Sequence, residues 1–186
     1  ATGFVGSRLV KALRKKGHTV IGFGSDANLL TEEGLSKIRS KRFDVVYHLA
    51  AELDETSPDL WRVNTEGTKN LLELCKRRGI ERFIMLGPIG VLGETRAPAL
   101  EDDPYNPVTK YEKSKEEAER IVMDYRLKHQ IPYTIVRSTI IYGPNRFWAQ
   151  IFKAAGEGYP LIGSGQNQFH LVYVDDVVGF LVLVLD

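Results

Sequence analysis

Thr2-Gly3-Phe4-Val5-Gly6-Ser7 opens the 186-residue chain and, with the helix and strand behind it, decides the class of fold. Two glycines three apart let the backbone come close to a charged group, and a helix starting there aims its free N–H groups the same way. From Phe4 to Lys16 the apolar residues Val5, Leu9, Val10 and Leu13 recur at helical spacing, and Gly17 closes the run. His18 to Phe23 then reads as an apolar strand. Glycine turn, helix, glycine and strand make up the opening of a dinucleotide-binding unit, with Gly3 and Gly6 spaced as the last two glycines of its fingerprint. A pyrophosphate is therefore expected against Gly3, Phe4, Val5 and Gly6, with Ser7 and Arg8 nearby in the first helical turns. The strand that should carry the first glycine is not in the sequence, so the chain reads as an interior piece of a longer protein.

The same alternation continues. Helices are predicted from about Thr31 to Arg39, Asn64 to Arg78 (stopped by Gly79) and Tyr111 to His129 (ended by Ile131-Pro132), with a last one from Asp175. Strands are predicted at Val45–Leu49, Arg82–Leu86, Tyr133–Arg137 and Phe169–Val174. Strands alternating with helices imply an α/β protein built on a Rossmann-type, doubly wound parallel sheet, here lacking its first strand. Residues 1–143, with a return at 169–186, are expected to form the NAD(P)-binding domain. The Gly- and Pro-rich stretch within 143–165 marks 144–168 as the start of a small substrate lobe, in a chain truncated at both ends.

Composition limits the function. Hydrophobic content of 43% and charge of 26% are those of a globular domain, and a net charge of +1 offers no reason to expect nucleic acid or an anionic membrane as partner. Arg77, Arg78 and Arg82 read as a solvated face. The single cysteine, Cys75, lies in an apolar helical pattern and fits a reducing cytoplasm. No metal site is expected.

Two segments carry the chemistry. An acidic residue after the second strand of a dinucleotide fold holds the ribose of NAD and repels the phosphate of NADP. Here the stretch is Gly24-Ser25-Asp26: Gly24 leaves room, Ser25 could donate to a phosphate, and Asp26 could serve NAD. The cofactor is NAD or NADP, with a lean to NADP. Tyr111 and Lys115 lie four apart on a helix, so both project from one face. A tyrosine acting as acid and base near neutrality must shift by about three pH units from a reference near 10, roughly 4 kcal/mol. One ammonium about 4 Å away at an effective dielectric near 20 supplies an energy of that order.

In order along the chain, T-G-F-V-G-S (Thr2–Ser7), D-V-V-Y-H-L-A-A (Asp44–Ala51), N-T-E-G-T (Asn64–Thr68), Tyr111 with Lys115, I-Y-G-P (Ile141–Pro144) and L-V-Y-V-D-D-V (Leu171–Val177) resemble the extended short-chain dehydrogenase/reductases, in their NAD-dependent epimerase/dehydratase branch. The resemblance implies hydride transfer on a sugar, possibly nucleotide-linked, or on another secondary alcohol or ketone. It implies that Leu49, Ala50 and Ala51 pass the adenine-ribose and pyrophosphate side and that Asn64 supports the active-site helix. Tyr111 would be the acid/base, and Lys115 would lower its pKa and hold the nicotinamide ribose. Ser138, Thr139 and Ile140 would face the nicotinamide. The parent protein is expected to be a homodimer. Asp175 and Asp176 read, on local chemistry, as N-terminal caps of the last helix.

Three positions depart from the pattern. The family's catalytic Ser or Thr falls on Pro88 in G-P-I-G-V-L-G (Gly87–Gly93), which has neither hydroxyl nor N–H. The arginine by which many nucleotide-sugar members grip a diphosphate falls near Phe169, in a Gly163–Leu171 stretch that holds no arginine. That weakens the nucleotide-sugar reading and favours a reductase acting on another alcohol or ketone. Only about twenty residues separate the second strand from Asp44, leaving Asn28 as stand-in for an adenine-contacting Asp. Pro88 raises the alternative of a non-catalytic or redox-sensing NAD(P)-binding module.

Overall fold

A computed structural model describes residues 1–95, 98–158, 164–166 and 168–185. In chain order the elements are α1 (Phe4–Lys15), α2 (Glu32–Arg39), β1 (Val45–His48), α3 (Leu60–Asn64), α4 (Glu66–Arg78), β2 (Arg82–Pro88), a 3-10 turn at Ile89–Leu92, α5 (Lys110–His129), β3 (Tyr133–Ser138), β4 (Ile140–Tyr142), α6 (Arg146–Gly156), β5 (Leu171–Tyr173) and α7 (Val174–Leu183). They divide into two compact units, Ala1–Thr2 with Ile21–Arg137, and Gly3–Val20 with Ser138–Asp186.

The first unit holds a sheet in the order β1-β2-β3. β1 and β2 run parallel, from Val45 beside Arg82 to His48 beside Met85. Phe83, Ile84 and Met85 are all fully buried, so β2 is covered on both faces, as the middle strand of a parallel sheet must be. Phe83 and Met85 join Ile38 of α2, Leu71, Leu72, Leu74 and Cys75 of α4, and Ala118, Val122 and Tyr125 of α5 in one core cluster. Local chemistry sets the helix ends. Thr31 caps α2 by accepting from Gly34 N at 3.2 Å, and a Cβ on Gly34 would lie 2.1 Å from the Asn28 carbonyl oxygen. Gly79, at φ 65°, ends α4 in the left-handed conformation that favours glycine.

In the second unit α1 packs on α7. Leu9 and Leu13 are buried on α1, as are Val174, Val177, Val178, Leu181 and Val182 on α7. β4 and β5 form a second parallel pair, Ile140 beside Leu171 through Tyr142 beside Tyr173. Gly143, at φ 149°, has its α-carbon against Val174, where a Cβ would come within 2.7 Å of Cγ1.

The α/β class and the parallel pairing agree with the sequence, and four details do not. Residues 18–23 form no strand: no ladder partner lies beside them among the described residues, and Ile21 is exposed. The expected helix from Asn64 to Arg78 is α3 and α4 with a break at Thr65, whose hydroxyl donates back to the Trp61 carbonyl at 2.8 Å. β4, α6 and the Ile89–Leu92 turn stand where the sequence pattern signals no element. Asp175 and Asp176 are not caps; they lie inside the first turn of α7, whose N-cap is Tyr173. Within the expected substrate lobe, residues 159–163 and 167 lie outside the described residues.

Candidate active site

α5 begins with a reciprocal cap. Thr109 Oγ1 accepts from Glu112 N at 3.1 Å, and Glu112 Oε2 accepts from Thr109 N at 2.9 Å and Val108 N at 3.0 Å. Glu55 Oε1 accepts from Tyr111 N at 3.3 Å. The other Glu112 oxygen lies over the 3-10 turn, where a Cβ on Gly90 would come within 2.3 Å of it. This fixed start sets the rotation of the helix, and Tyr111, Lys115 and Glu119 occupy four-residue steps along one face.

Lys115 is 1% exposed, and its Nζ has no hydrogen-bond or ion-pair partner among the described residues. Since no buried side-chain nitrogen or oxygen lacks a partner there, the accessible part of the residue includes Nζ. The half-buried Tyr111 phenol also has no hydrogen-bond partner among them. Burial, and then the Glu112 carboxylate, pushes the phenol up to about 12. Burial draws Lys115 down to about 8, against the attraction of Glu119. The lowering of the Tyr111 pKa expected from Lys115 has no counterpart here: burial is the largest cause of both shifts, and the charge acting on the phenol is the Glu112 carboxylate.

Asn64, 1% exposed, ties this helix to the end of β1. Its Oδ1 accepts from Glu52 N at 2.9 Å, and its Nδ2 donates to Glu52 O at 3.0 Å and to Ser114 Oγ at 2.9 Å. The Ser114 hydroxyl donates in turn to the Tyr111 carbonyl at 2.7 Å. The supporting role expected of Asn64 thus has a specific geometry. Leu49, Ala50 and Ala51 lie between β1 and this clamp, with Ala50 exposed. His48, just before them, is buried and bonded through Nε2 to Thr68 Oγ1 at 2.8 Å. Burial and the Lys115 charge hold its pKa down at about 3, so it is neutral.

Sequence reasoning missed a cluster beside Lys115. Glu119 is fully buried and accepts from Arg137 Nε at 3.0 Å, Arg137 Nη2 at 2.8 Å and Tyr105 OH at 2.8 Å. Arg137 Nη1 donates to the Glu101 carbonyl at 2.8 Å. A Cβ on Gly87, in β2, would lie 3.1 Å from Glu119 Oε1 and 3.9 Å from Lys115 Cε. The available signal is a second four-residue step, from Lys115 to Glu119. Pro88 succeeds Gly87 as the last residue of β2. A surface depression lined by Arg42, Phe43, Asp44, Arg77 and Arg78 adjoins the opposite, N-terminal end of β1 and holds none of these residues.

The phosphate-side expectations divide. Gly3 is the N-cap of α1 and no side chain caps that end, while the space around its α-carbon is open. Phe4, Val5 and Gly6 supply the first-turn amides, a donor set suited to a pyrophosphate. Arg8 is engaged elsewhere: its guanidinium donates to the carbonyls of Phe4 and Pro144 at 2.9 and 3.0 Å and pairs with Asp175 at 3.5 Å. In the first unit, Ser25 and Asp26 are exposed, and Asp26 Oδ1 accepts from Gly24 N at 3.0 Å. The room expected beside Gly24 is filled, since a Cβ there would meet Thr2 Oγ1 at 2.9 Å. Asn28 Oδ1 accepts from Leu30 N at 2.9 Å, a turn of its own. Ser138 ends β3, Thr139 is half-buried and Ile140 opens β4, exposed.

Parallel strands alternating with helices, and an α-helix with free first-turn amides after a glycine turn, are those of the dinucleotide-binding class of α/β fold. The model of the NAD dependent epimerase/dehydratase family matches residues 1–186, and the chain belongs to that family. It is 32% identical over 212 residues to a UDP-glucose 4-epimerase of Vibrio cholerae, covering 100% of this chain and 65% of that protein. It is 28% identical to N-acetyl-alpha-D-glucosaminyl-diphospho-ditrans,octacis-undecaprenol 4-epimerase of Escherichia coli O157:H7, covering 97% of this chain and 60% of that one. The chain thus spans about two thirds or less of the length of these relatives. Among solved structures, UDP-glucose 4-epimerase of Thermotoga maritima with UDP-glucose superposes with a TM-score of 0.87 at 25% identity, over 99% of this chain and 71% of that one. UDP-glucuronic acid 4-epimerase of Bacillus cereus with NAD gives 0.84 at 27% identity, over 98% and 71%.

Proposed function

We propose that the protein is an NAD-dependent epimerase or oxidoreductase acting by hydride transfer at a secondary alcohol of a sugar, most simply a nucleotide-linked one. The observation that carries this reading is the buried face of α5, where Lys115, one turn from the Tyr111 phenol, has no hydrogen-bond or ion-pair partner among the described residues. Desolvating a charge is costly, so a ligand that completes the site explains its retention. Tyr111 Oη takes the proton from the substrate hydroxyl and returns it. Lys115 holds the nicotinamide ribose and offsets charge at the phenol. The amides of Phe4, Val5 and Gly6, with Gly3 as the close-approach residue, take the pyrophosphate. Leu49, Ala50 and Ala51 lie along its adenine-ribose side, Asn64 holds α5 in place, and Ser138, Thr139 and Ile140 border the nicotinamide. Bound NAD supplies the hydride acceptor and donor. NAD is the cofactor proposed: Asp26 stands where an acidic residue holds a ribose, Thr2 fills the space beside Gly24, and relatives were solved with NAD, so the lean to NADP finds no support. Residues 144–168, with α6, belong to the substrate lobe. A homodimer in the cytoplasm completes the proposal.

Assays with NAD, NADP, UDP-glucose, UDP-glucuronic acid and simple ketones test it. Turnover that Tyr111→Phe abolishes is expected; turnover unaffected by that change refutes the role of the phenol. Pro88 and the raised Tyr111 pKa favour a second reading, a cofactor-binding module without turnover. NAD binding with no reaction on any of these substrates selects it.

A further inference from the structure

We infer that Glu119 is a positioning residue for Lys115: a fully buried carboxylate one turn along α5, clamped by Arg137 and Tyr105, that keeps the lysine charged and seated. Its mechanistic meaning rests on the role proposed for Lys115, while its physical content does not. Glu119 has 0% exposure and Lys115 1%. Both side chains converge on one bare α-carbon, Gly87, at the distances a Cβ there would make, 3.1 Å to Glu119 Oε1 and 3.9 Å to Lys115 Cε. Any side chain at residue 87 would press on the carboxylate, so β2 contributes open space where α5 contributes charge.

A bolt between α5 and β3 does not by itself require ions. Buried ion pairs are often replaced by apolar residues at no loss of stability, so a carboxylate retained here points to a use for its charge. Arg137 donates to it twice, from Nε at 3.0 Å and Nη2 at 2.8 Å, and Tyr105 OH once, at 2.8 Å. Three donors fix the oxygens but leave the carboxylate's field to act on the ammonium one turn away. The other groups around Lys115 offer no substitute. α5 adds Tyr111, and β1 adds His48, which burial and Lys115 itself keep neutral with a pKa of about 3. β2 presents Gly87, while Arg137 from β3 and Tyr105 stand on Glu119. Among these groups Glu119 is the one negative charge that opposes desolvation of the ammonium.

The test tracks Lys115 directly. In protein labelled with lysine carrying 13C at Cε, its resonance is identified as the one absent from Lys115→Arg, and its shift is monitored against pH. A midpoint near 8 is expected for the native protein. Glu119→Gln should lower it by about one pH unit, the size expected for loss of one nearby charge at an intermediate dielectric. Arg137→Gln should raise it. An unchanged midpoint in Glu119→Gln overturns the inference. If that variant does not fold because Arg137 is left bare, Glu119→Gln/Arg137→Gln is compared with Arg137→Gln; a midpoint below that of the single variant supports the inference and an equal one overturns it. Turnover surviving Tyr111→Phe would sink the proposed function but leave this titration standing.

Discussion

Truncating Asn64 to alanine should loosen the whole first unit. The side chain makes three hydrogen bonds of 2.9, 3.0 and 2.9 Å, two to the backbone of Glu52 and one to Ser114. Each bond contributes about 1 kcal/mol net, and an amide left unsatisfied where Asn64 is buried costs a further 1–3 kcal/mol. Their combined loss is about 4–6 kcal/mol, a large part of the 5–15 kcal/mol that holds a typical domain together. For a chain of this size that corresponds to a fall in Tm of about 8–24 °C. Differential scanning calorimetry reads it, with Lys69→Ala, at an exposed position of the neighbouring helix, as control. The control should stay within about 0.5 kcal/mol of the native protein. Asn64→Asp should also fail, because a carboxylate cannot donate to Glu52 O or Ser114 Oγ. A Tm for Asn64→Ala within 2 °C of native, roughly 1 kcal/mol or less, would refute the account of Asn64 as the clamp.

The same geometry sets other outcomes. Lys115→Met should abolish turnover yet raise stability at pH 7 by about 2–3 kcal/mol, because burial disfavours the charged lysine. The sign also fixes a pH trend: its folded pKa, about 8, lies below the ordinary lysine value of 10.5, so the unfolded chain binds more protons in that window and native stability rises across it. Urea titrations from pH 7 to 11 should show that rise in the native protein and its loss in Lys115→Met. Cys75, buried and with its thiol pushed up to about 12, should not react with a disulfide reagent at pH 8 until urea unfolds the chain. Pro88→Ser should raise turnover if the missing hydroxyl limits the chemistry; equal rates would mean that another group does its job.

Legibility in the sequence depends on how local the cause is. The glycine turn, Gly79 as a helix stop and the Thr31 start of α2 are short-range chemistry, and each stands where the sequence puts it. Tyr111 with Lys115 is legible because helical spacing alone brings them to one face. The strand expected at 18–23 fails because strand formation needs a neighbour, which apolar pattern cannot supply. The break at Thr65 comes from one hydroxyl bonding back to Trp61. Arg8 looks like a phosphate ligand from its place in α1, but its partners, Pro144 and Asp175, lie more than a hundred residues away. The same distance effect hides Glu119, whose Arg137 partner comes from another strand. The Tyr111 pKa escapes a sequence reading because the favourable charge is visible in the spacing and the cost of burial is not.

Glu112 ties two positions into one inheritable unit. One of its oxygens starts the helix that bears Tyr111, and the other occupies the volume a side chain at residue 90 would need. A lineage that adds any group at 90 must therefore shorten 112 as well, or unwind the turn on which the phenol stands. Shortening 112 alone should cost the cap, and once that is lost a group at 90 should cost little more, so drift at this corner of the protein is expected to proceed by coupled steps.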